Sequence, residues 1–169
     1  MLRHSCFVIL KMSKIVPPRP RVVDGERTFI IVASQFNARY VQGLIDHAKE
    51  ELCALAPNAT ISLKRVPGAF EIPVVVHELA SQRKADAIIA IGVILQGKTG
   101  HAQNLSWSVT EALQLIAVDH GVPVINAVLS FDNETQAHER CLENRINRGR
   151  EAARAAMEIA SVMSELRRK

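Results

Sequence analysis

Thr28 to Ala33 (Thr-Phe-Ile-Ile-Val-Ala) is a continuous apolar run, closed by Ser34-Gln35-Phe36-Asn37. A run that short predicts a strand buried on both faces, as in a parallel sheet. Val41, Leu44, Ile45, Ala48, Leu52 and Leu55 then recur at helical spacing, which predicts an amphipathic helix. Asn37 stands where an N-cap belongs, and Pro57-Asn58 stops the segment. Thr60 to Val66 reads as a second strand, with Ile61, Leu63 and Val66 as its apolar members. Pro67-Gly68 is a turn signal, and a short apolar helix follows through Val74, Val75, Leu79 and Ala80. A third strand is expected over Asp86 to Val93. Helical spacing resumes through Leu105, Val109, Ala112 and Ile116, and Gly121 closes it. Pro123 to Leu129 supplies a fourth strand, and Asn133 to Arg140 a short helix. Gly149 marks a break. The last helix is expected to bury Ala152, Ala156, Ile159, Met163 and Leu166.

Strands alternating with helices predict an α/β three-layer sandwich. Its centre is a four-stranded parallel sheet flanked by helices on both faces, a flavodoxin-like arrangement with right-handed crossovers. Residues 1–27 stand outside the pattern. Pro17, Pro18 and Pro20 lie among basic residues and favour an extended backbone. The division is therefore an extended segment, 1–27, and one α/β domain, 28–169. Met1 and Met12 are both candidate starts. In a monomer the extension is a tail; in an oligomer it suits pairing with a neighbour's sheet edge.

Composition narrows the function. Of 169 residues, 48% are hydrophobic, enough for one sizeable core, but only 4% are aromatic, so that core is aliphatic. The net charge of +4 is concentrated towards the chain ends and is not interleaved with aromatics. That argues against nucleic acid and suits anionic small molecules. Cys6, Cys53 and Cys141 are odd in number and widely scattered. They suggest neither a disulfide framework nor a metal site, and fit a reducing compartment. No apolar run reaches membrane-spanning length, so the expected location is the cytoplasm.

The densest chemistry lies between the third strand and the helix after it, in Gly92-Val93-Ile94-Leu95-Gln96-Gly97-Lys98-Thr99-Gly100-His101. Ligands of open α/β sheets sit beyond the carboxyl ends of the strands, where such loops gather. Gly97 and Gly100 let backbone amides approach a guest, Lys98 adds charge and Thr99 a hydroxyl. An anion is the expected guest, with His101 as proton carrier beside it. The plainer reading is a tight connection with a histidine at a helix start. Glu71 is the other unusual residue, a carboxylate among Ala69, Phe70, Ile72 and Val75. It is either a helix-start charge favoured by the macrodipole or a group kept for ligand hydroxyls.

Together these residues resemble the lumazine synthase family. Val66-Pro67-Gly68-Ala69-Phe70-Glu71-Ile72-Pro73 stands in that family's usual form. Phe36-Asn37, the Gly97-x-Thr99-x-His101 tail of the loop, and Glu139-Arg140 match in order and spacing. The resemblance implies condensation of 5-amino-6-(D-ribitylamino)uracil with 3,4-dihydroxy-2-butanone 4-phosphate, without metal or organic cofactor. It implies that Phe36 stacks on the pyrimidine, that Glu71 holds ribityl hydroxyls, and that Asn37, Gly68, Ala69, Phe70 and Asn126 are further substrate-binding residues. Backbone at Val93, Ile94 and Leu95 would meet the heterocycle. Gly97, Lys98 and Thr99 would cradle the phosphate, Arg140 would pair with it, and His101 would carry protons. It further implies a homopentamer with sites between subunits, sometimes packed into shells, and riboflavin synthase as a partner.

The chain departs from the family pattern at Ala102 and Gln103, where an aromatic and an acidic residue are usual. Gln96 stands for a frequent arginine and Asn144 for a frequent lysine. Asn126 replaces a phenylalanine that in many members reaches the neighbour's site. A competing expectation is therefore a catalytically weak paralogue that binds lumazine or flavin. A flavodoxin-like carrier fits the strand and helix pattern but lacks a phosphate loop after the first strand.

Overall fold

The computed structural model describes residues 18–97 and 100–168. Four strands alternate with helices: β1 (Thr28–Ser34), α1 (Ala38–Leu55), β2 (Thr60–Val66), a single 3-10 turn (Ala69–Glu71), α2 (Ile72–Ser81), β3 (Ala87–Leu95), α3 (His101–His120), β4 (Val124–Phe131), α4 (Glu134–Cys141) and α5 (Arg148–Arg167). The strands form one parallel sheet in the order β2-β1-β3-β4. The expected three-layer sandwich is what forms.

The alternation of strand side chains divides the interior into two cores. Phe29, Ile31 and Ala33 of β1 pack with Val41, Leu44 and Leu52 of α1 and with the alanines of α5. Ile30 and Val32 face the other way, onto Ile72 and Val76 of α2 and Val109 and Leu113 of α3. The expected β1 and β2 match closely. β3 and β4 each run two residues further than expected, because the ladder continues through Ile94 opposite Ser130 and Leu95 opposite Phe131. Asp86 falls just outside β3. Its carboxylate accepts from the Thr28 backbone N–H at 2.8 Å and from Arg27 at 3.2 Å, fastening the start of β3 to that of β1.

Several expectations need correction. Asn37 heads α1 but its side chain does not cap it. Its backbone is left-handed (φ 56°), a region asparagine tolerates, and Nδ2 donates across to the Val93 carbonyl. In α2 the buried face is Ile72, Val76 and Ala80, while Val74 is exposed. Gly149 does not break the chain; it lies in the first turn of α5. A Cβ there would stand 2.2 Å from the Leu44 carbonyl oxygen, so glycine is what lets α5 lie against α1. The buried face of α5 is Ala152, Ala153, Ala156, Met157 and Ala160. Small side chains let two helices approach closely. Ile159 and Met163 are only half-buried and Leu166 is exposed, because the last turn leaves α1 and reaches α3, where Arg167 donates to the Gly121 carbonyl. Gly121 does close α3, in a left-handed conformation with φ 64°.

One buried charge pins the α1–α5 layer. Glu51 is 5% exposed. It accepts from Arg154 at 2.8 Å and from Arg19 at 3.0 Å. Arg19 belongs to residues 18–27, which carry no helix or strand; residues 1–17 lie outside the described residues. No helix among the described residues is long and apolar enough to cross a membrane.

Candidate active site

β1 and β3 lie side by side, but their connections leave to opposite faces, β1 into α1 and β3 into α3. Where neighbouring strands diverge in this way, a crevice opens beyond their carboxyl ends. The crevice is a cavity of about 390 Å³, a volume suited to a small organic ligand.

Each side of the cavity comes from a different connection. Phe36 and Asn37 follow β1, and Val93, Ile94 and Leu95 end β3. The bond from Asn37 Nδ2 to the Val93 carbonyl, 2.7 Å long, holds those two segments together. Gly68, Ala69, Phe70 and Glu71 enter from the turn after β2. Glu71 Oε2 accepts from the Gly68 backbone N–H at 2.8 Å, which fixes the carboxylate against its own turn. Glu71 thus serves its own turn and also lines the cavity. His101, the first residue of α3, completes the wall and is exposed. Phe36 and Phe70 stand largely in solvent, 72% and 68% exposed.

Two lining residues were not among the expected site residues: Ala102 and Leu105. Helical spacing from His101 was the available signal, since positions 101, 102 and 105 share one side of a helix.

Other expected site residues lie elsewhere in the subunit. Arg140, in the last turn of α4, lines a separate cavity of about 320 Å³ with Glu139, Glu143, Arg145 and Ile146. Its Nη1 is buried without a hydrogen-bond partner among the described residues. Asn126 is exposed on β4 and faces neither cavity. Its Nδ2 donates to Thr110 at 3.0 Å and its Oδ1 accepts from the Val128 N–H at 3.0 Å. Gly97 is exposed, and a Cβ on it would meet nothing within 4 Å. Lys98 and Thr99 lie outside the described residues.

Chemically, the cavity is an apolar slot with an aromatic rim, one carboxylate and one imidazole. It suits a flat heterocycle carrying a hydroxylated chain, with a proton carrier within reach. Among its described lining residues there is no arginine or lysine to meet a phosphate. No group of three or more His, Cys, Asp or Glu among the described residues could hold a metal.

A family model described as 6,7-dimethyl-8-ribityllumazine synthase matches residues 26–164. Proteins of that name align over most of the chain. The one from Polaromonas sp. is 36% identical over 146 residues, covering 85% of this chain and 92% of its own. That from Paraburkholderia phymatum is 40% identical over 142 residues, 83% of this chain and 80% of its own. That from Leptothrix cholodnii is 39% identical over 137 residues, 80% and 86% of the two chains. The matched span runs from before β1 into the last turn of α5 and takes in every wall of the cavity, so the chain belongs to the 6,7-dimethyl-8-ribityllumazine synthase family.

Proposed function

We infer that the protein condenses 5-amino-6-(D-ribitylamino)uracil with 3,4-dihydroxy-2-butanone 4-phosphate to give 6,7-dimethyl-8-ribityllumazine, with release of phosphate and water. This is the penultimate step of riboflavin biosynthesis. The observation that carries the reading is the meeting of Phe36, Glu71 and His101, from three separate connections, around one cavity.

Phe36 stacks on the pyrimidine, whose polar edge meets the backbone of Val93, Ile94 and Leu95. Asn37, Gly68, Ala69 and Phe70 enclose it. Glu71 uses Oε2 on its own turn, which leaves Oε1 for the ribityl hydroxyls. The reaction requires attack of the amine on the ketone, loss of water, loss of phosphate and ring closure. Each step moves a proton, and His101 is the group in the cavity whose ordinary range lies nearest neutrality. Holding two substrates together supplies much of the rest of the acceleration. Phosphate leaves readily once its charge is met, by Gly97, Lys98 and Thr99 of the loop and by the planar fork of Arg140.

Arg140 lies apart from its own subunit's cavity. That placement supports a ring of five in which Arg140 and Asn126 serve a neighbour's site. So do Trp107, Leu115 and Val118, exposed at 73%, 57% and 69% along α3, an apolar face of the kind that another subunit covers. The enzyme works in the cytoplasm without a cofactor and passes its product to riboflavin synthase.

The second reading, a weak paralogue that binds lumazine or flavin, is favoured by Ala102, which departs from the family pattern and lines the cavity. Mixing both substrates with the protein and following lumazine fluorescence separates the two. Turnover well above the uncatalysed rate is expected. Product formation at the uncatalysed rate, with lumazine still bound, would establish the second reading instead.

A further inference from the structure

Arg140 stands one residue before Cys141 at the end of α4, a helix of only eight residues. So short a helix has little stability of its own. A guanidinium that must meet phosphate with two parallel bonds needs its backbone held, since a small misplacement loses one of them. The support comes from Asn147, 3% exposed, whose amide is used in full. Nδ2 donates to the Cys141 carbonyl at 3.0 Å and to the Glu143 carbonyl at 3.2 Å. Oδ1 accepts from the backbone N–H groups of Gly149 at 2.9 Å and Arg150 at 3.3 Å. Capping α5 needs only the acceptor, which aspartate or serine would supply equally well. The two donated bonds are surplus to capping, and both are spent on the segment that follows Arg140.

A second observation meets the first at the same atoms. A Cβ on Gly43 would stand 2.6 Å from the Cys141 carbonyl oxygen and 2.5 Å from Leu142 Cδ2. The missing side chain lets α1 close on the end of α4 from the other side.

We propose that Asn147 is a positioning residue for Arg140, holding the end of α4 against α1 so that the guanidinium presents a fixed fork to the substrate phosphate. The inference rests on the reading above, in which Arg140 meets that phosphate.

The test uses the full-length assembled protein and the variants Asn147→Asp, Asn147→Ser, Gly43→Ala and Arg140→Ala. Asn147→Asp and Asn147→Ser keep the cap acceptor and lose the donated bonds. Gly43→Ala pushes on the same carbonyl from α1. For each, KM for the two substrates, kcat, the Kd for inorganic phosphate and the melting temperature are measured. The expected result is a split: KM for the butanone phosphate and Kd for phosphate rise about tenfold or more, as for loss of one charge-assisted bond, while KM for the pyrimidine changes less than twofold. Should Asn147→Asp fail to assemble, Asn147→Ser and Gly43→Ala carry the same comparison. If both Michaelis constants move together, or only the melting temperature falls, Asn147 is a cap and the proposal is overturned. If Arg140→Ala weakens phosphate binding but neither Asn147 variant does, this inference alone fails. If Arg140→Ala leaves phosphate binding unchanged, the reading beneath it fails, and the inference with it.

Discussion

Asn37 Nδ2 donates to the carbonyl oxygen of Val93 at 2.7 Å, so the turn after β1 is fastened to the end of β3. Asn37 has a left-handed backbone and its side chain makes no cap bond on α1; it reaches β3 instead. Phe36, one residue earlier, is thereby held beside the last residues of β3, with its ring left largely in solvent. The aromatic rim and the strand floor of the cavity are in effect one unit.

His101→Ala should lower the turnover number without unfolding the protein. The residue is exposed at the first position of α3, so stability should change by no more than about 0.5 kcal/mol. General acid–base groups contribute about 10²–10⁴-fold; the low end is expected, because Gln103 cannot supply charge to support an imidazolium. Full activity of the variant from pH 6 to 8 would reduce His101 to a lining residue.

Glu71→Gln should keep the turn, since an amide oxygen can still accept from Gly68, and should weaken the pyrimidine substrate. Hydrogen bonds to a charged group contribute roughly 1.5–3 kcal/mol, so KM for the ribitylaminouracil should rise by about one to two powers of ten. KM for the butanone phosphate should move little. Equal rises in both would show that the carboxylate serves the turn and not the ligand.

Much of this architecture is legible in the sequence. Phe29 to Ala33 and Ile88 to Ile91 are apolar runs, and runs of that kind dominate the choice between strand and helix. The sequence places His101 and Glu71 at helix starts beyond strand ends and brings in Phe36 by resemblance; all three line the one cavity. What escaped the reading depends on residues distant in the chain. Asn37 looks like a cap by local rules, yet its partner is Val93. Gly149 looks like a break, yet it is a helical residue chosen for its contact with Leu44. Asn147 carries the local mark of a helix cap, but its two bonds to the Cys141 and Glu143 carbonyls show only once α4 and α5 are placed together.

Light scattering at micromolar concentration should give a mass about five times 18.6 kDa, or a very large particle if rings pack into a shell. Trp107→Glu should shift that mass downward, because a charge would then sit on the apolar face of α3. A wild-type mass near 18.6 kDa would rule out a shared site.

Glu51 should govern the acid limb of stability. Burial pushes its pKa up, but hydrogen bonds from Arg154 and Arg19 outweigh this and hold it below the ordinary carboxylate value. A carboxyl lowered on folding stabilises fully above its unfolded pKa, about 4.3 for glutamate, and loses that contribution as pH falls through the folded value. Glu51→Gln should therefore melt earlier at pH 7, by up to about 3 kcal/mol given the buried Arg154 pair, with Arg19 adding little because it is half exposed. Its melting temperature should also fall less steeply below about pH 4. Superimposable acid limbs would show that the network contributes nothing net.

The end of β3 carries one last implication. Val93 belongs to the core shared with α1 and α5, Ile94 to the core shared with α2 and α3, and Leu95 packs on the first again. Three consecutive floor residues are thus rooted in alternate layers. Genetically, this exposes the cavity floor to drift in either core, and it gives second-site suppressors of a floor defect two independent hydrophobic layers in which to arise.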